Sequence, residues 1–325
     1  MKILLPTLLL ALMLSGCINR TRKTQSTQPE NAPALSTQTP EPADSLSPQV
    51  DSLSLLDSVE LILAAERRMR AELVEKLERA IPAEADSIFR SDDYVFSNTP
   101  EYSSLYWLVE RRRLTERVSA YGELSPGDSA VIKLMLQSGI AFEDVGEGYV
   151  EPLTESHYYY NIFEPYLTPE TRLYARLMSD QDIQLSADAG LWISLNTLYE
   201  WCLDWEAFLN DYPHTVYRPQ IGEQYKLYME NILFCTLDNT PTFESEWNDN
   251  GHREYTEINN DTLEQIRKLT ETGKGSRTHQ IIMQYLSELS AGNNFYSEGL
   301  RNRISALYAW PETTGGPEQA VSNEK

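Results

Sequence analysis

The chain has 325 residues, of which 41% are hydrophobic and 23% charged, a balance that excludes both wholesale disorder and a polytopic membrane protein. Asp and Glu outnumber Lys and Arg by 49 to 27, and the formal net charge of -22 excludes nucleic acid as an expected partner, because phosphates are repelled. Three Cys are too few for a disulfide scaffold or a multi-cysteine metal site, and no cofactor is predicted.

Residues 1–17 have the layout of a secretory signal. Lys2 supplies a positive charge, residues 3–14 are mostly apolar, and small residues directly precede Cys17. The apolar stretch is too short to remain as a span of a bilayer core of ~30 Å. Leu14, Ser15, Gly16 and Cys17 resemble the lipobox of bacterial lipoproteins. The resemblance implies cleavage before Cys17 and lipidation of its thiol, so the protein is anchored to a membrane by acyl chains. The alternative is an ordinary secretory signal that contains a cysteine.

The residues after Cys17 predict the membrane to which the protein is sorted and a disordered linker that follows the anchor. In the sorting rule of enterobacterial lipoproteins, Asp at the next position retains the protein in the inner membrane, so Ile18 indicates the outer membrane and a periplasm-facing protein. Residues 18–50 are rich in Pro, Ser and Thr and poor in large aliphatic side chains. Such a segment buries too little apolar surface to offset its ordering entropy, so we expect a disordered tether. Residues 311–325 are expected to be a disordered tail.

Residues 51–310 form the predicted α-helical domain. Apolar residues recur at spacings of three and four over 51–81, where Glu66 with Arg70 is one of several i, i+4 pairs expected on the opposite side. Pro82 ends or kinks this helix. Further helices are predicted at 100–121, from 125 onward, and at 168–179, 188–210, 220–235, 261–272, 276–290 and 295–310. The helix at 188–210 is apolar over a wide arc and should be central.

Alternating runs of Val, Ile and Thr are nearly absent, so no sheet of appreciable size is expected. The predicted fold class is therefore all-α, either a helical bundle or a short α-solenoid. Trp192, Leu195 and Tyr199 match the spacing in the first helix of a tetratricopeptide repeat, a faint resemblance that implies stacked helical pairs with a peptide groove. A generic helical hairpin is the alternative. The 19 Tyr leave two interpretations open, packing at the core margin or a tyrosine-lined groove for sugar or peptide.

Glu155 and Ser156 resemble the Glu-Ser pair of lytic transglycosylases, which are helical and often lipid-anchored. This resemblance implies that Glu155 donates a proton to a glycosidic oxygen, which requires apolar surroundings that raise its pKa. Tyr158, Tyr159 and Tyr160 would supply such walls and are the candidate binding residues. A solvated residue at a helix start is the alternative. The four His show no ligand-pair spacing.

A candidate metal site follows from one segment. Glu246, Asn248, Asn250 and Glu257 occupy ligand positions of an EF-hand-like calcium loop, with Gly251 at the position of the sharp turn. The alternative is an exposed turn built on Asn250 and Gly251.

Two cysteines remain after lipidation, Cys202 and Cys235. If their helices are neighbours joined by a turn near 211–219, the axial offset is roughly 12 Å at ~1.5 Å per residue, beyond the Cα separation of about 7 Å that a disulfide allows. We therefore expect two buried thiols and no disulfide.

Together these features predict a lipid-anchored cell-envelope protein whose helical domain is a binding or scaffold module for envelope proteins or glycans. The alternative is a peptidoglycan- or carbohydrate-processing enzyme with Glu155 as its acid. The sequence favours the non-enzymatic role, because no spacing typical of nucleophilic or phosphoryl-transfer chemistry is present.

Overall fold

The computed structural model describes residues 54–91, 93–119, 124–146 and 148–310. The predicted signal with Cys17, the tether 18–50 and the tail 311–325 lie outside the described residues. Within those ranges the chain forms twelve α-helices and three two-stranded antiparallel sheets, so the protein is helix-rich, and the all-α prediction is wrong in its finer part. The described residues fall into two compact units, of which the first ends at Tyr158 and the second begins at Tyr159.

The first unit is organised around a long helix. Helix α1 packs against α3 and α5, and the β1–β2 hairpin contacts α4. The elements, in chain order, are α1 (Leu55–Arg79), α2 (Pro82–Phe89), a 3-10 turn (Phe96–Asn98), α3 (Pro100–Arg111), α4 (Leu114–Ser119), α5 (Pro126–Gln137), β1 (Ile140–Gly146), β2 (Tyr149–Thr154) and the start of α6 (His157–Phe163).

Helix α1 confirms the helix predicted from the apolar spacing over 51–81. Its first turn is capped by Ser54, whose side chain accepts the Asp57 N–H, and Pro82 opens the next helix. The apolar stripe faces the core of the unit through Val59, Leu63, Leu73 and Leu77. Each of these buried side chains contributes about 1.5–3 kcal/mol relative to an exposed one.

The helix predicted over 100–121 is two helices, α3 and α4. Arg113 has a φ of 56°, in the left-handed region, and this conformation interrupts the helix. Helix propensity did not reveal the break, because Arg is a good helix former. Beyond the break, an Arg117 Nη lies 2.7 Å from a carboxylate oxygen of Asp128 in the first turn of α5. These hydrogen bonds from Arg117, together with one from Ser125, lower the pKa of the Asp128 carboxyl.

The β1–β2 hairpin is one of the three small sheets by which the fold departs from the all-α prediction. The strands pair from Ile140 opposite Thr154 to Gly146 opposite Tyr149, with an irregularity in the register after Asp144. Gly146 and Gly148 have φ values of 98° and 77°, which lets the chain turn tightly between the strands. The hairpin was not predicted, since three acidic residues and a proline interrupt any alternating apolar pattern in the two strands.

The second unit surrounds a central helix. Helix α8 contacts α7, α9, α10 and α11, which confirms its predicted central place. After most of α6, the unit contains α7 (Pro169–Asp180), β3 (Ser186–Ala187), β4 (Gly190–Leu191), α8 (Leu195–Asp211), α9 (Arg218–Phe234), β5 (Phe243–Trp247), β6 (Arg253–Ile258), α10 (Asn260–Leu269), α11 (Arg277–Ala291) and α12 (Glu298–Ser305).

Helix α8 begins later than predicted. Asp188 and Ala189 have φ values of 49° and 55° and form the turn between β3 and β4, so residues 188–191 belong to a small hairpin and not to a helix. The helix starts after Ser194, whose side chain accepts the Thr197 N–H. The apolar pattern over 188–210 concealed this boundary because Leu191 and Trp192 fit helical spacing.

Tyrosines form much of the core of the second unit. Five of them are completely or almost completely buried: Tyr199, Tyr225, Tyr228, Tyr285 and Tyr308. The Tyr228 hydroxyl accepts a hydrogen bond from the Gln224 side chain at 2.8 Å and donates to Gln181 at 3.1 Å. The Tyr285 hydroxyl has no partner among the described residues, and burial raises the pKa of its phenol. These side chains pack inward, as in the first of the two interpretations, and do not line a groove.

A buried carboxylate holds the start of α11. Glu206 of α8 accepts hydrogen bonds from the backbone N–H groups of Arg277 at 2.6 Å and Thr278 at 2.9 Å. The Thr278 hydroxyl donates to the same carboxylate at 2.9 Å and lies 3.0 Å from the hydroxyl of Tyr225. A negative charge at a helix N-terminus is stabilised by the helix dipole and the unpaired N–H groups, so Glu206 fastens α11 to α8.

Candidate functional site

Glu155, the candidate catalytic acid, lies in the turn that leads into α6. Its side chain is exposed. Its backbone N–H donates to the Gly139 carbonyl at 2.8 Å, and its own carbonyl accepts the Tyr158 N–H at 3.0 Å. This is the solvated helix-start position that was the alternative interpretation. The apolar surroundings that a protonated catalytic glutamic acid needs are absent around this side chain.

Tyr158 connects the start of α6 to α1. Its ring lies against Gly139, and its hydroxyl donates to the Glu66 carboxylate and accepts a hydrogen bond from Arg70 at 3.0 Å. Tyr159 and Tyr160 are half-buried. Consecutive residues of a helix point about 100° apart, so the three tyrosines do not form a single wall. Tyr158 therefore belongs to a polar cluster with Glu66 and Arg70, and it does not share a binding wall with Tyr159 and Tyr160.

Glu66 is the residue of this cluster that sequence reasoning misplaced. It was expected on the solvent side of α1 beside Arg70, yet it is only 3% exposed, and Arg70 Nε lies 3.8 Å from its Oε1. The second oxygen, Oε2, has no hydrogen-bond partner among the described residues. Helical spacing could have predicted its burial, because position 66 lies three residues after Leu63 and seven before Leu73, on the apolar stripe.

The candidate calcium ligands lie on a β-hairpin. Glu246 is in β5, Glu257 is in β6, and Asn248 and Asn250 belong to the connection between the strands. Asn248 Oδ1 accepts the N–H groups of Asn250 and His252, each at 3.0 Å. Calcium loops of the EF-hand type join two helices, so the strand–turn–strand geometry differs from the predicted framework.

The hairpin turn takes the form of the alternative interpretation. Gly251 has a φ of 71°, a conformation that favours glycine, and its N–H donates to the Asn248 carbonyl at 2.9 Å. The described ranges contain no group of three or more His, Cys, Asp or Glu side chains arranged to hold a metal ion.

The root of the β5–β6 hairpin is fixed in the core of the second unit. Phe243 and Ile258, which face each other, are buried. The Phe243 ring lies 6.2 Å from Phe234 and 5.3 Å from Tyr296, centroid to centroid. This aromatic packing holds the hairpin at its base, so its outer end is positioned by a rigid support.

The outer end of the hairpin exposes a large aromatic side chain. Trp247 is 73% exposed and faces Arg253 across the two strands. Arg253 is itself neutralised by Asp238, whose carboxylate oxygen lies 2.6 Å from its Nη2, and its Nε donates to Ser245 at 2.7 Å. Trp247 was not among the residues predicted from the sequence, because the calcium-loop spacing of this segment concerns only oxygen ligands.

The carboxylates of the hairpin are concentrated on the strands and the turn. Glu246 and Glu254 are directly opposite each other, and Asn248 Nδ2 donates to Glu254 at 2.7 Å. No Lys or Arg in the described part of the chain pairs with Glu246 or Glu254. Five carboxylate side chains of the hairpin are exposed: Glu244, Glu246, Asp249, Glu254 and Glu257. We call the hairpin with these five residues and Trp247 the acidic hairpin.

The remaining sequence candidates do not form a common site. Trp192 precedes α8 and is 60% exposed, whereas Leu195 and Tyr199 belong to the helix and are buried, so the three residues do not share one helix. Cys202 and Cys235 are both buried and carry no disulfide, as predicted. Burial also raises the pKa of the Cys202 thiol well above its ordinary value.

Comparison with known proteins finds no matching family model, no matching curated protein and no matching solved structure. Within the described residues, no helix combines the length and the apolar character needed to cross a bilayer.

Proposed function

We propose that the protein is a lipid-anchored binding or scaffold protein of the bacterial cell envelope, attached through Cys17 to the outer membrane and facing the periplasm. The lipobox-like residues Leu14 to Cys17 support the lipid anchor, and Ile18 supports the outer-membrane location. Two or three acyl chains, at ~0.8 kcal/mol per buried methylene, hold a protein to a bilayer durably. The helical units are then the part that meets a partner, an envelope protein or a glycan.

The observation that carries the binding role is the exposure of Trp247 on a hairpin whose base is packed into a core. An exposed indole leaves a large apolar surface in water, and Trp is among the residues that dominate binding interfaces. A rigid support also lowers the entropy that association costs. This combination favours a preformed recognition element.

The enzymatic alternative has weaker support. It requires Glu155 to be an acid in an apolar pocket, whereas its side chain is exposed. Release of cell-wall fragments by the wild-type protein, abolished in Glu155→Gln, would establish the alternative.

Two measurements test the proposal. Labelled palmitate should enter the wild-type protein and not Cys17→Ser, and the variant should be released from membranes by washing. Crosslinking in intact membranes followed by mass spectrometry should recover a stoichiometric partner. Palmitate incorporation that is equal in both proteins refutes the anchor, and crosslinking that repeatedly yields no partner refutes the binding role.

A further inference from the structure

We infer that the acidic hairpin docks a segment of a protein partner that is rich in Lys and Arg. The inference rests on the proposed binding function and names the class of partner that this surface fits. It rests on two features of the hairpin: unneutralised carboxylates at the Glu246–Glu254 pair, and an exposed aromatic side chain, Trp247, on the opposite face.

The charge on the hairpin is complementary to a basic segment. Five exposed carboxylates are present, and the cation on the strands, Arg253, is already paired with Asp238 at 2.6 Å. The hairpin therefore retains an excess of negative charge in the free protein. A basic segment approaching it is attracted, whereas acidic proteins and anionic lipids are repelled.

One cross-strand pair costs stability in the free protein. Side chains directly opposite on antiparallel strands have Cβ atoms about 4.5–5.5 Å apart, and like charges at that separation are destabilising. Glu246 and Glu254 form such a pair, and the side chain that bonds Glu254 is the neutral amide of Asn248. A Lys or Arg from a partner placed between the two carboxylates would replace this repulsion by two favourable contacts.

Trp247 adds a second, separable contribution. Trp is the best of the aromatic side chains for cation–π contact, and Trp247 is largely open to solvent. It faces Arg253 on the strand opposite, whereas Glu246 and Glu254 occupy the alternate positions of the two strands. Trp247 and the Glu246–Glu254 pair therefore lie on opposite faces of the hairpin, and a partner segment that contacts both passes around its outer end.

The first experiment measures binding of a fluorescent peptide of alternating Lys and Ser to the full-length protein in nanodiscs of neutral lipid. Glu246→Gln with Glu254→Gln should weaken binding about fivefold, as expected for two exposed ion pairs. Trp247→Leu should weaken it about threefold. The matched control is Glu223→Gln with Glu271→Gln, which removes the same charge from exposed positions of the same unit and should leave binding nearly unchanged.

Circular dichroism of each variant should match the wild type, since all four carboxylates are exposed. Equal weakening by the hairpin and control variants would mean that only the overall charge matters and would overturn the inference. The inference would also be overturned if a peptide of alternating Glu and Ser bound as tightly as the Lys and Ser peptide. The same holds if both hairpin variants bound the Lys and Ser peptide as tightly as the wild type does.

A second experiment separates this inference from the proposed function. The membrane crosslinking described above is repeated with the Glu246→Gln, Glu254→Gln protein. Loss of the partner in this variant, and not in the control variant, supports docking at the hairpin. Recovery of the same partner at the wild-type level overturns the hairpin inference while the binding function stands. A wild-type protein that binds the Lys-Ser peptide through the hairpin but recovers no membrane partner would count against the proposed function instead.

Discussion

Replacing Gly139 by Ala tests the contact that fixes Tyr158 to the first unit. Gly139 has a φ of 71°, and a Cβ added to it would lie 2.2, 2.3 and 2.5 Å from three atoms of the Tyr158 ring. The left-handed conformation costs an Ala roughly 1–2 kcal/mol. Relief of the overlap by displacing the ring costs about 1–3 kcal/mol more. We therefore expect Gly139→Ala to lower the free energy of unfolding by about 2–5 kcal/mol.

Gly148 supplies the matched control for this substitution. Its φ is 77°, close to that of Gly139, but nothing lies within 4 Å of the position its Cβ would take. Gly148→Ala should therefore lower the free energy of unfolding only by the cost of the left-handed conformation, about 1–2 kcal/mol. Urea unfolding followed by circular dichroism gives the two losses, and hydrogen exchange of peptides from α1 assigns them to the first unit.

A double substitution isolates the steric part of the loss. In Gly139→Ala with Tyr158→Ala the ring is gone, so the combined loss should be smaller than the sum of the two single losses by at least about 1 kcal/mol. Equal losses for Gly139→Ala and Gly148→Ala, or strict additivity in the double variant, would refute the reasoning that the Tyr158 ring is packed on Gly139.

Four further substitutions test buried polar groups. Glu206→Gln should cost about 2 kcal/mol in urea unfolding, because an amide cannot accept all three hydrogen bonds at the start of α11; a loss below ~0.5 kcal/mol would contradict the cap. Asp128→Asn should be less stable than the wild type at neutral pH, and the gap should close as the pH falls below about 4. The sign follows because Arg117 lowers the folded-state pKa, so the ionised carboxyl stabilises the fold above the unfolded-state value and this is lost on acidification; a gap independent of pH would refute it. Tyr285→Phe should leave stability unchanged or raise it by up to ~1 kcal/mol, whereas Tyr225→Phe, which loses a hydrogen bond of 3.0 Å, should lower it by about 1 kcal/mol. Thermal melting compares the two variants. A Tyr285→Phe protein less stable than Tyr225→Phe would contradict a hydrogen bond at Tyr225 and none at the Tyr285 hydroxyl.

Helices with a capping residue ahead of a regular apolar stripe could be predicted from the sequence. Ser125 and Thr168 each accept an N–H of the first turn, and Pro follows both, so α5 and α7 begin where local chemistry places them. Boundaries set by a single unusual backbone conformation could not be predicted in this way. The break at Arg113 depends on one positive φ value that the composition of the segment does not reveal.

The candidate site was harder to predict because its residues depend on tertiary burial. Glu66 and Glu155 are chemically the same side chain; local sequence suggested that the first was solvated, and only a resemblance offered the second as a catalytic acid. The structure buries Glu66 against Tyr158 and leaves Glu155 exposed. Charge patterns at i, i+4 describe an isolated helix, whereas the face that a long helix buries is decided by its neighbours.

Because Cys202 and Cys235 are buried, the reactivity of their thiols can be used to measure local opening of the second unit. A thiol reacts with maleimide as the thiolate, and both Cys202 and Cys235 are shut away from reagents while their helices are packed. Alkylation therefore requires the packing around α8 and the end of α9 to open, and its rate equals the opening rate when the reagent reacts faster than the structure closes again. Alkylation rates measured on membranes with and without a basic peptide would show whether peptide binding at the hairpin slows the opening around α8 and α9.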